Sequence, residues 1–497
     1  MHMARKLVLL LTLSFSLFPR TYAAFDFSAN CKQAYVEILN LRLDLAKQYL
    51  EKERLVNPEN NFIPLLENYV DYFYILSCDD KSAFDKLKKN KSSRLSQLGE
   101  GDKNSPYYLF AQAEINLQWA LLRGKYQEYV ASALEIKKAY NMLHENMEKF
   151  PEFLPNKKGL GMVNAVIGSL PTGAQKALGT LGVHGSTQRG EKMLEELVNS
   201  LPGSAYEIFY DESVFYLMQV WVNITKKKQA FEKIYFLTGK MQDDSLLKLY
   251  IRAFTAFKTG HNDEAIAYLI AKPKSADYVN YPYLDYLLGM AKLHKLDFSA
   301  KVDFQRFLEE SAGGSYIKDT YLHLAYISLL KGDSLNYKAY LSKIQLNGTT
   351  YDEKDKQALN EANEGVPNES LLKARFLFDG GYYERAKDVL EKENANNYKQ
   401  KRDKIEYCYR FARVFHETGG INGAIKFYQY TIAFGKDSKY YYAANAALFL
   451  GDIYVEKKRY KMAADCYSKA INMKNHDYES SIENKAKEAL KRIAGKY

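Results

Sequence analysis

Apolar residues recur at helical spacing along most of this chain. The runs 31–57, 62–78, 107–122 and 126–150 each place them three and four residues apart, which predicts amphipathic helices. Asn57-Pro58 supplies a start signal for the second run, and Pro151 stops the fourth. Further on, one unit repeats: a helix with a small residue at a fixed place, a turn, and a second helix. The small residues are Ala253, Gly289, Ala325, Ala374, Ala412 and Gly451, at steps of 36, 36, 49, 38 and 39. Small side chains at such a position let two helices approach closely. The 49-residue step holds a polar insertion, 346–368, with room for a short helix of its own.

The segment 443–474 carries the unit most clearly. Leu450-Gly451, Tyr454, Tyr460, Ala463, Tyr467 and Ala470 resemble the pattern of the tetratricopeptide repeat (TPR). Ala447 and Asn475 depart from it, where a Trp and a Pro are common. The resemblance spans about residues 241–476 and implies an all-α fold, a right-handed superhelical solenoid of helix–turn–helix repeats with an N-terminal helical region. The expected organisation is an export signal at 1–23, degenerate helical repeats at 24–155, a Gly-rich apolar insertion at 156–190, TPR-like repeats at 191–346, a polar linker at 347–370, and C-terminal repeats with a capping helix at 371–497.

The insertion is glycine-dense, apolar and low in charge. It reads either as two short helices tucked against the solenoid or as a lid that meets a membrane or ligand, and exposed aliphatic residues at 162–181 would favour the second. Ser169-Leu170-Pro171, Leu181-Gly182, Gly185-Ser186, Gly190 and Leu194 resemble, over a short stretch, a eukaryotic TPR family linked to lipid handling.

Composition fits a folded helical protein: 497 residues, 47% hydrophobic, 11 prolines and 42 tyrosines. The net charge is +10, with acids and bases interleaved rather than striped, so nucleic acid is not the expected partner. Arg5 and Lys6 followed by the apolar run 7–18 read as an export signal, which predicts a periplasmic or outer-membrane-associated bacterial protein. No other stretch approaches the ~20 apolar residues of a membrane span. With 31–57 read as one helix antiparallel to 62–78, Cys31 and Cys78 fall nearly level, so a disulfide between them is one reading and two free thiols the other.

Catalytic and metal-binding patterns are missing. The 8 histidines are scattered, no nucleophile elbow, P-loop or Cys-x-x-Cys occurs, and Gly159-Leu160-Gly161 lacks the third glycine of a dinucleotide site. No enzyme activity and no cofactor are expected. In a TPR stack the first helix of each pair lines the concave face, and that phase selects Tyr250, Phe254, Tyr286, Met290, Tyr326, Arg375, Tyr409, Arg413 and His416. These types make binding hot spots. They predict an aromatic groove growing more basic toward the C-terminus, suited to an extended peptide or acidic tail of an envelope protein. A lipid or glycan is the alternative ligand.

Overall fold

The computed structural model of the chain describes residues 24–496, and the expected export signal lies outside them. Among the described residues the regular structure is helical throughout. Six helix pairs follow one another in the second half: Leu246–Lys258 with Asn262–Ile270, Tyr283–His294 with Ala300–Glu310, Ile317–Leu330 with Ser334–Leu346, Glu369–Asp379 with Tyr383–Glu391, Lys401–Glu417 with Ile421–Gly435, and Tyr442–Glu456 with Tyr460–Asn472. Glu479–Ile493 caps the last pair, and the polar insertion carries its own helix, Glu353–Ala362.

The small residues act as the sequence predicts. A methyl group on Gly289 would sit 2.7 Å from the Phe304 ring of the paired helix, and one on Gly451 would overlap the Tyr467 ring. Seven residues after each small residue the backbone turns left-handed: Gly260, Leu296, Gly332, Gly381, Gly419 and Lys458 all have φ between +56° and +81°. This turn closes each pair. The same offset occurs upstream, where Leu41 (φ 61°) follows Ala34 and Gln127 (φ 64°) follows Ala120. Both alanines are buried. The pairs Ala29–Leu39 with Leu43–Val56 and Tyr107–Lys125 with Tyr129–Lys149 are therefore repeats of the same kind, with a non-glycine residue at the left-handed turn as at Leu296 and Lys458.

Leu41 also breaks the predicted 31–57 helix in two, which corrects the basis of the Cys31–Cys78 bridge. Cys31 lies at the start of the 62–78 helix, its sulfur 3.6 Å from Asn60 Nδ2. Cys78 is at the other end of that 17-residue helix, about 25 Å away at 1.5 Å per residue. All four cysteines are free.

The Gly-rich segment forms the helices Asn156–Ser169 and Thr172–Thr180. The first packs closely on Thr187–Ser200, since a methyl group on Gly161 would lie 2.7 Å from Leu194 Cγ. Val163, Ile167, Leu178 and Val183 are buried, and Met162, Val166, Leu170 and Leu181 are half-buried. The aliphatic surface that would mark a membrane-contacting lid is thus turned inward.

This segment also contributes a charge to the core. Lys158 is fully buried, with Nζ 2.9 Å from Glu114 Oε2, 2.5 Å from Glu212 Oε2 and 2.8 Å from the Tyr69 hydroxyl. Tyr69 donates to Glu114 (2.6 Å), and Tyr35 donates to Glu212 (2.5 Å). Burial disfavours ionisation of Glu114 and raises its pKa, while the two carboxylates outweigh the burial cost on Lys158 and raise that of its ammonium. Five helices of the N-terminal half meet at this cluster.

The stack is wound tightly enough to touch itself. The turn at Gly260 abuts the turn at Gly381, and Asn262 Nδ2 donates to the Tyr382 hydroxyl (3.1 Å). The N-terminal half meets later inter-repeat loops: Val279 N donates to Leu41 O (2.7 Å), Ser315 N to Asp79 Oδ2 (3.0 Å) and Gln127 Nε2 to Thr350 O (3.3 Å). No helix among the described residues is long and apolar enough to cross a membrane.

A candidate binding chamber

These closures border a half-open chamber of about 830 Å³. Of the residues selected from the repeat phase, Tyr250, Phe254, Tyr286, Met290, Arg375 and Arg413 line it. The other three do not. Tyr326 is buried and donates to Glu361 (2.6 Å). Tyr409 is buried in the C-terminal core, its hydroxyl accepting from Asn445 Nδ2 (2.8 Å). His416 pairs with the Tyr428 hydroxyl through Nδ1 (3.2 Å). The polar insertion thus takes up Tyr326, the next repeat takes up Tyr409, and His416 turns to the second helix of its own pair.

The chamber gains residues that the repeat phase does not select. Tyr281 and Tyr316 lie in loops between repeats, Tyr283 opens a first helix, and Leu76 to Asp79 with Lys125 enter from the N-terminal half. The rings form a continuous wall: Tyr250 stacks on Phe254 (5.4 Å between centroids), and Tyr283 lies 5.1 Å from Tyr316 and 5.6 Å from Tyr286.

Polar groups stand opposite. Asp319 accepts from the Tyr286 hydroxyl (2.6 Å) and lies 3.2 Å from His323 Nδ1. Burial opposes its charge, but His323, Lys354 and Tyr286 outweigh that and hold its carboxyl at about 2. His294 is 6% exposed and stacks on Phe257 at 5.1 Å. Burial pushes its imidazole down to about 4. Lys258 is open to the chamber's solvent but ringed by protein; that enclosure, with Lys354 and Lys226, brings its ammonium down to about 8.

The expected rise in basic character toward the C-terminus is offset by paired acids. Arg375 forms a two-pronged pair with Glu361 (2.9 and 3.0 Å), Arg410 bonds Glu406 (3.0 Å), and Arg402 lies 3.8 Å from Glu364. Glu361 and Glu364 come from the polar insertion, whose helix folds over the groove and neutralises it. A second hollow of about 460 Å³ lies there, with Arg375 in the wall of both. Arg413 sits between the Phe378 and Phe449 rings at 4.7 and 4.3 Å and bonds Glu417 at 3.4 Å.

The helix pairs, their small-residue crossings and their left-handed turns define an all-helical, TPR-like solenoid coiled around a tyrosine-lined chamber. No family model and no curated protein matches the sequence. Among solved structures the chain is similar to the Cut9–Hcn1 hetero-tetramer of the APC/C, at 11% identity over 94% of this chain and 99% of that one, with a TM-score of 0.24. It is also similar to yeast Tom70, at 12% identity over 94% and 96%, with a TM-score of 0.23.

Proposed function

We propose that this protein is a non-catalytic, exported scaffold that holds an extended segment of another cell-envelope protein in its central chamber. The observation carrying this reading is the tyrosine wall formed by Tyr250, Tyr281, Tyr283, Tyr286 and Tyr316. Tyrosines offer large rigid faces and a polar tip, the combination that anchors peptide side chains. The volume falls within the roughly 300–1,000 Å³ of typical ligand sites, enough for a few residues of extended chain. Charged groups across from the wall favour a peptide over a lipid tail. A glycan is the second reading, favoured by the run of neighbouring rings.

The test places a photo-crosslinking amino acid at Tyr283 and, separately, at the outward-facing Leu335 as a control. One envelope protein captured through position 283 and not through 335 is the expected result. Glycan or lipid co-purifying with no protein captured would replace the peptide reading.

A further inference from the structure

Resting on the peptide reading, we propose that the chamber seats a carboxylate of the bound segment between Lys258 and Lys354. Most charges around the chamber already have partners. Lys125 pairs with Asp79 (2.7 Å), Arg375 with Glu361, Arg413 with Glu417, and Asp319 with His323. Lys258 and Lys354 line the same chamber, and neither ammonium has an ion-pair partner within 4.0 Å among the described residues.

Lys258 ends the helix Leu246–Lys258, with Nζ 5.4 Å from the Phe254 ring. The Lys354 ammonium and that of Lys226 act on it repulsively, and Asp352 and Asp379, which line the same chamber, offset this in part without forming an ion pair with it. Asp352 is also committed to capping the backbone N–H of Lys354 (2.8 Å). Two cations lining one chamber, neither of them ion-paired, make a site that an anion completes. His294, stacked on Phe257 next to Lys258, adds an imidazole whose Nδ1 has no hydrogen-bond partner. The aromatic wall adjoins this seat, so the fitting ligand is an acidic residue, or a free C-terminus, next to an aromatic or apolar one. This seat differs from the sequence expectation in using two lysines rather than the C-terminal arginines.

The experiment selects binders from a random heptapeptide library using the full chain, the Lys258→Met/Lys354→Met variant and the Lys258→Arg/Lys354→Arg variant. Circular dichroism and melting confirm that each is folded. The expected outcome is enrichment of acidic–aromatic peptides by the parent and the Arg variant, with the Met variant binding the best peptide about tenfold or more weakly. Amidated and free-acid forms of that peptide separate a side-chain carboxylate from a C-terminal one. Enrichment of neutral or basic peptides, or equal binding of acidic ones by the Met variant, overturns the carboxylate seat and leaves the peptide reading standing. If the parent enriches nothing, both fall.

Discussion

Gly260 and Gly381 meet backbone to backbone although they belong to pairs three repeats apart. A methyl group on Gly381 would collide with the Gly260 carbonyl, and both residues are left-handed, at φ 80° and 81°. Gly332 has nearly the same φ, 74°, with nothing within 4 Å of an added methyl group.

This contrast isolates the cross-coil contact. Gly332→Ala is expected to cost only the left-handed penalty, about 1–2 kcal/mol. Gly381→Ala is expected to cost about 1–3 kcal/mol more, from overpacking at the seam. Urea unfolding of the two variants measures the difference, and equal losses would mean that the two turns do not touch in solution.

The Lys158 cluster predicts a pH-dependent variant. Lys158→Met leaves Glu114 and Glu212 buried without their cation, and the expected loss near neutral pH is about 3–5 kcal/mol. Glu114 already binds its proton more tightly when folded than when unfolded. Removing the cation increases that difference, so the variant should lose stability as pH rises and regain it as pH falls toward 5. Melting curves at pH 5 and 7.5 check the sign. Adding Glu114→Gln and Glu212→Gln to the variant should flatten the dependence.

His294 predicts a dependence of the opposite sign. Its folded pKa is about 4 against an ordinary value of 6.5. The unfolded chain therefore takes up the proton first. The stability this residue contributes is present above 6.5 and is lost as pH falls from 6.5 toward 4. His294→Phe, between the rings of Phe257 and Phe376, should lose less stability than the parent between pH 7 and 4.5. Identical losses would show that His294 is protonated in the folded state.

The thiols give a direct chemical check. Burial pushes Cys31 up to about 12 and Cys408 and Cys466 to about 11, so these three should resist a thiol reagent in the folded protein. Unfolding without reductant should expose all four. A count of two would mean that one disulfide forms, against the four free thiols.

The repeats were legible because their determinants are local. Gly289 must face Phe304 across one turn, and Gly451 must face Tyr467, so residue size at a fixed period reports the packing. Leu41 hides an equivalent turn, since a left-handed leucine carries no mark that a glycine would. The chamber was half legible. Tyr250, Phe254 and Tyr286 follow from helix phase, whereas Tyr281 and Tyr316 lie in loops that no period governs. Arg375 lines the chamber as the helix phase selects, but its partner Glu361 was not legible, because it reaches Arg375 from an insertion that breaks the repeat.

An open helical-repeat stack distributes its energy between neighbours, and it stretches and bends like a spring. The seams from Gly260 to Gly381, from Leu41 to Val279 and from Asp79 to Ser315 connect units far apart along the chain. Extension would have to break them together. The molecule should therefore behave mechanically as a latched ring, yielding in one abrupt step under load rather than paying out gradually, and its interior should keep its shape until that step.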